Sequence, residues 1–222
     1  MSYRLSIFLF AIVIIGIISC KNNDEVFKTI STVQLNVVNA SADTLNYYLN
    51  GTRQNNSSSL FPGGQTLYLT EPAGTQTYQF KKAGASSILF GVPLTLTGLA
   101  NTLYVTGESA GQAFSTIDTL IVDSALVAVR FVNASPDAGN LSVTVGDTVK
   151  FRSRAYKTSS VFLPTGSGQK EVKVYLTGSS TPMIDTTITM NPFSGYTLFS
   201  RGLVNGKGNS AFKLGIALNF GN

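Results

Sequence analysis

The chain has 222 residues, 43% of them hydrophobic and only 12% charged, with 21 glycines, one cysteine, no histidine, no tryptophan and a net charge of +5. Scarce Glu and Lys with abundant Ser and Thr mark a folded all-β chain, neither helical nor disordered. The lack of histidine excludes Ser-His-Asp and Cys-His nucleophilic sites and imidazole metal centres, and the single cysteine excludes an internal disulfide.

At the N-terminus Arg4 precedes an apolar run from Leu5 to Ile18. That run is shorter than the roughly 20 residues a membrane span needs and fits the core of a secretion signal. It ends in Ile17-Ile18-Ser19-Cys20. A small residue before a lone cysteine after such a core resembles the lipobox of bacterial lipoproteins. The resemblance implies cleavage before Cys20, lipid on Cys20 and attachment to a membrane. The alternative is an ordinary signal or anchor helix with an incidental cysteine, which leaves a free thiol in an oxidising compartment. Residues 1–19 then form the signal peptide and 20–30 a lipidated tether. Ten residues reach at most about 35 Å, so the first domain stays near the membrane. Within the tether, Lys21-Asn-Asn-Asp-Glu25 resembles the surface-export signal of lipoproteins in some Gram-negative bacteria. It implies the outer face of the outer membrane; chemically the same stretch is also simply a solvated spacer.

Val33-Gln-Leu-Asn-Val-Val-Asn-Ala-Ser-Ala-Asp43 then recurs as Val127-Ala-Val-Arg-Phe-Val-Asn-Ala-Ser-Pro-Asp137, with six of eleven positions identical at an offset of 94. Leu45–Gly51 pairs with Leu141–Asp147, Gly74–Phe80 with Gly168–Val174, and Thr102–Gly107 with Thr197–Gly202, the last slipped by one residue. Self-similarity of this length reads as a tandem duplication of a whole domain. The predicted units are 31–124 and 125–222. Each shows about seven short alternating strands separated by turn signals, the pattern of an immunoglobulin-like antiparallel β-sandwich. Val33, Leu35 and Val37, with Val127, Val129 and Phe131, should face the cores. Tyr78, Phe80 and Tyr104 in one unit and Tyr175, Phe199 and Phe212 in the other are the aromatic core candidates. Thr119–Val122 reads as a closing strand, leaving only Asp123–Ala125 as a junction too short to flex. Leu214–Phe220 reads as a final strand.

A hydrophobic strand followed by Asn-Ala-Ser-Pro-Asp, then an alternating strand ending in an Asn-Gly type turn, is similar to the DUF4397 family of domains of unknown function, often found in tandem in bacterial surface proteins. Val127–Asp147 fits the pattern; Val33–Gly51 departs from it at Ala42, where proline is usual. The resemblance implies a β-sandwich and an extracytoplasmic role, and it assigns no catalytic residue.

Asn39, Ser41 and Asp43, with Asn133, Ser135 and Asp137, have two readings. They could form a paired oxygen site for calcium, or Asx turns that hold the loop leaving each strand. One carboxylate per turn favours the turn and gives no metal site. The chain carries no recognised cofactor motif and no glycine-rich phosphate loop. Its carboxylates are scattered, so a hydrolase would need a pair within about 10 Å that the sequence does not display. Charge is uneven: three basic and five acidic residues in 30–124, ten and four in 125–222. Lys150, Arg152 and Arg154 alternate and would share one strand face. They form either a contact for an anionic polysaccharide or an acidic envelope protein, or a charge-guarded edge strand. No nucleic-acid module is recognisable. Tyr48 should be the outward member of the Tyr47–Tyr48 pair and is a candidate sugar platform. Five of seven aspartates precede Ser or Thr. These triplets resemble the bacterial O-glycosylation acceptor at Thr44, Thr119, Ser124, Thr148 and Thr186; the same triplets also suit strand openings. The sequence therefore reads as a non-catalytic surface lipoprotein that binds or scaffolds. The alternative is a glycan-binding accessory lipoprotein of a nutrient-uptake system.

Overall fold

The computed structural model describes residues 31–55, 58–119 and 127–221, and Ser31–Asn222 forms one compact unit. In the first repeat the strands are β1 (Thr32–Asn39), β2 (Leu45–Leu49), β3 (Thr52–Arg53), β4 (Leu69–Pro72), β5 (Gly74–Lys82), β6 (Phe90–Leu96), β7 (Ala100–Val105) and β8 (Ala113–Ile117). In the second they are β9 (Val127–Asn133), β10 (Leu141–Val145), β11 (Val149–Arg154), β12 (Leu163–Thr165), β13 (Gly168–Leu176), β14 (Ile184–Met190), β15 (Gly195–Arg201) and β16 (Lys213–Phe220). Each repeat thus has eight described strands rather than seven, because the short β3 and β12 carry too few residues to show alternation.

Each repeat is a sandwich of two four-stranded sheets. The orders are β4-β1-β7-β8 over β3-β2-β5-β6, and β12-β9-β15-β16 over β11-β10-β13-β14. Pairing is antiparallel except that β1 runs parallel to β7 and β9 to β15. The first core holds Val33, Leu35, Val37, Tyr47, Tyr78 and Phe80, the second Val127, Val129, Phe131, Val143, Phe151 and Val174. Phe212 packs half-buried on the second core. Tyr175 does not: it pairs with Ser142 on the outer face of its sheet. Residues 120–126, including the expected junction and most of the expected closing strand, lie outside the described residues.

The two sandwiches meet through their inner sheets. Val38, Ala40, Tyr104 and Phe114 of the first repeat pack against Val132, Ala134, Phe199 and Ala217 of the second. Tyr104 and Phe199 therefore fill this third cluster and not the sandwich cores, with ring centroids 6.1 Å apart in an edge-on arrangement. Val38 corresponds to Val132, Ala40 to Ala134 and Tyr104 to Phe199, so both repeats offer the same patch, as in a two-fold dimer. The result is four layers with β1 and β9 buried on both faces. That explains the consecutive apolar residues Val37-Val38 and Phe131-Val132, since a strand covered on one side only would alternate. Gly215 lies against the Phe199 ring, and a methyl at that position would overlap it.

A polar network closes the same interface. The Arg130 guanidinium pairs with Asp118, both buried to within 3% exposure. Asp118 also accepts from Tyr68 (2.6 Å), Thr102 (2.5 Å) and Thr116 (3.1 Å) hydroxyls. Arg130 Nε donates to Thr197 Oγ1 (2.8 Å), that hydroxyl donates to Asn219 Oδ1 (2.6 Å), and Asn219 Nδ2 returns to the Tyr68 oxygen (3.0 Å). Strand register makes Asn219 the counterpart of Asp118 and Thr197 that of Thr102. Burial disfavours the Arg130 charge, but Tyr104 and Asp118 beside it outweigh that and leave its pKa raised. Arg130 stacks on Phe162, its guanidinium carbon 4.6 Å from the ring centre.

Candidate functional site

Both Asn-Ala-Ser-x-Asp turns leave the ends of central strands, and both are held by a fully buried asparagine. Asn39 Nδ2 donates to the carbonyls of Asp43 (2.7 Å) and Leu60 (2.8 Å), while Oδ1 accepts from the Ser41 amide (3.0 Å) and hydroxyl (2.6 Å). Asn133 Nδ2 donates to Gly139 (2.8 Å) and Arg154 (2.9 Å), and Oδ1 accepts from the Ser135 amide (3.2 Å) and the Ser200 hydroxyl (2.9 Å). Each amide thereby makes four bonds, its full capacity, and has nothing left for a cation. The Ser135 hydroxyl donates to the Gly202 carbonyl (2.6 Å), and the Asp137 carboxylate accepts from the Val204 amide (3.1 Å). Among the described residues no group of three or more His, Cys, Asp or Glu side chains could hold a metal ion.

The inner-sheet packing brings these two turns to one end of the molecule, on either side of a cleft of about 330 Å³. Ala40, Ser41, Asp43, Thr106, Gly107 and Glu108 line it from the first repeat, Pro136, Gly202, Leu203 and Ser210 from the second. The walls differ. On the first, Lys82 Nζ bridges Asp43 (3.0 Å) and Glu108 (3.1 Å), and these contacts raise the lysine's pKa, the Asp43 hydrogen bond most. The equivalent positions of the second repeat are Asp137, Leu176 and Leu203, so that wall keeps one exposed carboxylate and has two leucines where the first has Lys82 and Glu108. The two carboxylates that share Lys82 are closer together than the roughly 10 Å limit for a glycosidase pair. Glu171 and Asp185 likewise share Lys173 (2.9 and 3.7 Å). Proximity alone therefore does not dismiss hydrolysis, but in each pair a lysine ammonium occupies the space where a scissile bond would sit.

The other sequence candidates scatter. Tyr48 is on the outer face of the first repeat, opposite Gln79, half-buried, with Lys81 Nζ 4.7 Å above its ring. Lys150 and Arg152 are exposed on β11, an edge strand of the other outermost sheet. The four-layer stack places them on the opposite side of the molecule from Tyr48. Arg154 leaves their face. A bulge with Ser153 at φ 48° sets Arg154 opposite core-facing Leu141, where its Nε is buried without a partner. The expected three-residue stripe is thus two residues long. Thr119, Thr148 and Thr186 are exposed and Thr44 is half-buried; Ser124 and Cys20 lie outside the described residues. Sequence reading missed the Arg130–Asp118 link. The available signal was a charged residue inside the apolar strand Val127-Ala-Val-Arg-Phe-Val132. A second cleft of about 370 Å³ lies over it, lined by Ile117, Thr119, Arg130, Val161 and Phe162, but its charged group is already paired with Asp118.

Residues 127–214, which make up most of the second repeat, match the family model described as "Domain of unknown function (DUF4397)". No curated protein sequence matches the chain. Among solved structures, CBMbc (family CBM26) from Eubacterium rectale Amy13K in complex with maltoheptaose aligns over 83% of this chain and 96% of its own, at 10% identity and a TM-score of 0.27. A likeness that low carries no argument about function.

Proposed function

We propose that this chain, whose second repeat is a DUF4397 domain, is a non-catalytic binding module, lipid-anchored through Cys20 at the bacterial cell surface, that presents the cleft between its two Asn-Ala-Ser-x-Asp turns to an envelope partner. The observation that carries the reading is the sealed contact between the repeats. A buried apolar cluster and a buried ion pair hold the two sandwiches as one rigid body, so the duplicated turns keep a fixed spacing. Rigid walls suit recognition, because little ordering entropy is lost on binding. The asymmetry of the cleft, an ion-pair bridge on one wall and leucines beside a single carboxylate on the other, fits a partner with both polar and apolar groups. The lysine that spans each carboxylate pair supports binding over hydrolysis. The glycan-binding alternative gains nothing from Tyr48, whose ring is covered by Lys81.

The test is binding of residues 27–222 to neutral glycans, anionic glycans and cross-linked envelope proteins, with Leu203→Asp as the cleft variant. Partner capture lost in Leu203→Asp and retained in Arg152→Ala supports the cleft. Capture that depends on Arg152, fades with salt and ignores Leu203 assigns the contact to the edge strand and overturns the cleft reading.

A further inference from the structure

The end of the molecule opposite the cleft differs in chemistry from the cleft end. β1, β7, β9 and β15 all point their C-terminal ends at the cleft, so the turns entering β7 and β15 lie together at the far end. There the Leu99 carbonyl accepts from Gln34 and the Ser194 carbonyl from Ala128, at the starts of β1 and β9. Three large apolar side chains protrude at this end: Leu99 is 82% exposed, Ile117 62% and Phe193 57%. Gly98 lies between the first two, a methyl built on it falling 3.8 Å from Ile117. Phe193 stands at φ 58°, a left-handed conformation that costs a bulky residue energy. The corresponding position in the first repeat is Gly98, at φ 70°. The second repeat thus carries a strained, exposed phenylalanine where the first has glycine.

The inner-sheet turns at this end, residue 73, residues 97–99, 166–167 and 191–194, contain no charged residue. Among the described residues, charge at this end comes from the outer sheet of the second repeat, with Asp147 and Glu171 exposed and Lys170 half-buried, its Nζ 3.5 Å from a methyl built on Gly166. The cleft end, in contrast, carries Asp43, Lys82, Glu108, Asp137, Lys157 and Lys207. The chain also enters at this end, since β1 starts at Thr32, and the tether from Cys20 to residue 30 reaches at most about 35 Å.

We propose that this end is a lipid-docking surface in which Leu99, Ile117 and Phe193 enter the interfacial region of the membrane, directing the cleft away from it. The proposal rests on the lipid-anchor reading above for its geometry. Isolated exposed apolar residues are common on protein surfaces. These three share one end, lie among inner-sheet turns whose described residues carry no charge, and occur where the anchored segment joins the fold.

The absence of tryptophan gives a clean test. Residues 31–222, which form one compact unit, carry an N-terminal polyhistidine that tethers them to phosphatidylcholine vesicles bearing a nickel-chelating lipid. Phe193→Trp is the probe and Asn205→Trp, at the cleft end, the control. The expected result is a blue-shifted Phe193→Trp emission on tethering, quenched by brominated lipid, with Asn205→Trp unchanged. Adding Leu99→Ser and Ile117→Ser to the probe should reduce the shift. Unchanged Phe193→Trp emission overturns the proposal. So does a shift that appears without vesicles as protein concentration rises, which would assign the patch to a second copy of the chain. Failure of the anchor reading is seen separately: Cys20 of protein from its own membranes would carry no acyl mass.

Discussion

Asp118→Asn is the sharpest probe of how the two repeats are held together. The substitution keeps size and shape, and it installs the residue that the second repeat already carries at the corresponding position, Asn219. The Thr102 hydroxyl can donate to the new Oδ1 as Thr197 does to Asn219. The loss is the countercharge of Arg130, whose guanidinium is 2% exposed and retains hydrogen bonds to Thr197, Thr116 and the Ile117 carbonyl. Removing one partner of a buried pair costs about 3–5 kcal/mol because the other charge stays buried and uncompensated. At roughly 2–4 °C per kcal/mol for a chain of this size, the melting temperature should fall by about 6–20 °C. Arg130→Met, which keeps the packing on Phe162, should cost less, since three hydroxyls still donate to Asp118. The double variant buries no charge and should sit within about 2 kcal/mol of the parent. The cycle, measured by urea denaturation, should therefore show a coupling of at least about 2 kcal/mol. Additive losses, or a loss below about 1 kcal/mol in Asp118→Asn, would refute the claim that this pair carries the interface.

Four further outcomes are expected. Glu71 is 2% exposed, and the Tyr47 hydroxyl beside it is buried without a hydrogen-bond partner. Burial raises the Glu71 pKa, and Tyr78 offsets this only in part. A raised folded-state pKa means the folded protein holds the proton longer, so this group's effect on stability worsens as pH rises from about 4.3 through the folded pKa. Urea midpoints across pH 4–7 should fall relative to Glu71→Gln, and a pH-independent difference between the two would sink the assignment. Asn39→Ala and Asn133→Ala should each cost about 2–4 kcal/mol by removing the four hydrogen bonds of a fully buried amide, measured by chemical denaturation. Gly215→Ala should destabilise the interface through overlap with Phe199, read as a lower thermal midpoint. On a polyanion column, Lys150→Ala and Arg152→Ala should elute at lower salt than the parent, with Arg154→Ala close to it.

The strand pattern made the sandwiches legible, because alternation survives wherever only one face of a strand is buried. The core positions Val33, Leu35 and Val37 and their counterparts follow directly from that period. The same rule misplaced Tyr104 and Phe199. Both sit on strands buried on two sides, where period no longer distinguishes core from interface. The consecutive apolar pairs of β1 and β9 carried the information that a second face was covered, but not by what. Arg154 was misplaced for a different reason: a bulge at Ser153 shifts the side-chain phase by one, and no residue type at that position announces it. The buried ion pair was hidden because its halves come from different repeats, one in a strand that otherwise reads as pure core.

Duplication explains both what the repeats share and where they differ. A symmetric contact needs the same patch twice, so Val38 and Val132, Ala40 and Ala134, and Thr102 and Thr197 have remained alike. Two departures from symmetry bear on how the repeats meet. One is the network, where Asn36 faces Gln65 in the first repeat while the counterpart position holds Arg130. The other is the cleft, where Asp43, Lys82 and Glu108 stand against Asp137, Leu176 and Leu203. In the network the asymmetry adds a single charge pair that exists only between the repeats, so the interface is stabilised in one arrangement and not in its mirror pairing. In the cleft it turns two equal walls into one with a lysine bridging two carboxylates and one with a single carboxylate beside two leucines. A two-fold cleft would offer any ligand two equivalent orientations; this one offers a single orientation. Lys82→Leu, which makes the first wall resemble the second, should therefore relax the orientation of a bound partner before it abolishes binding. Cross-links from fixed cysteines on either wall report that change directly. Loss of all cross-linking together with unchanged fold would instead make Lys82 the contact itself, and the argument from asymmetry would fall.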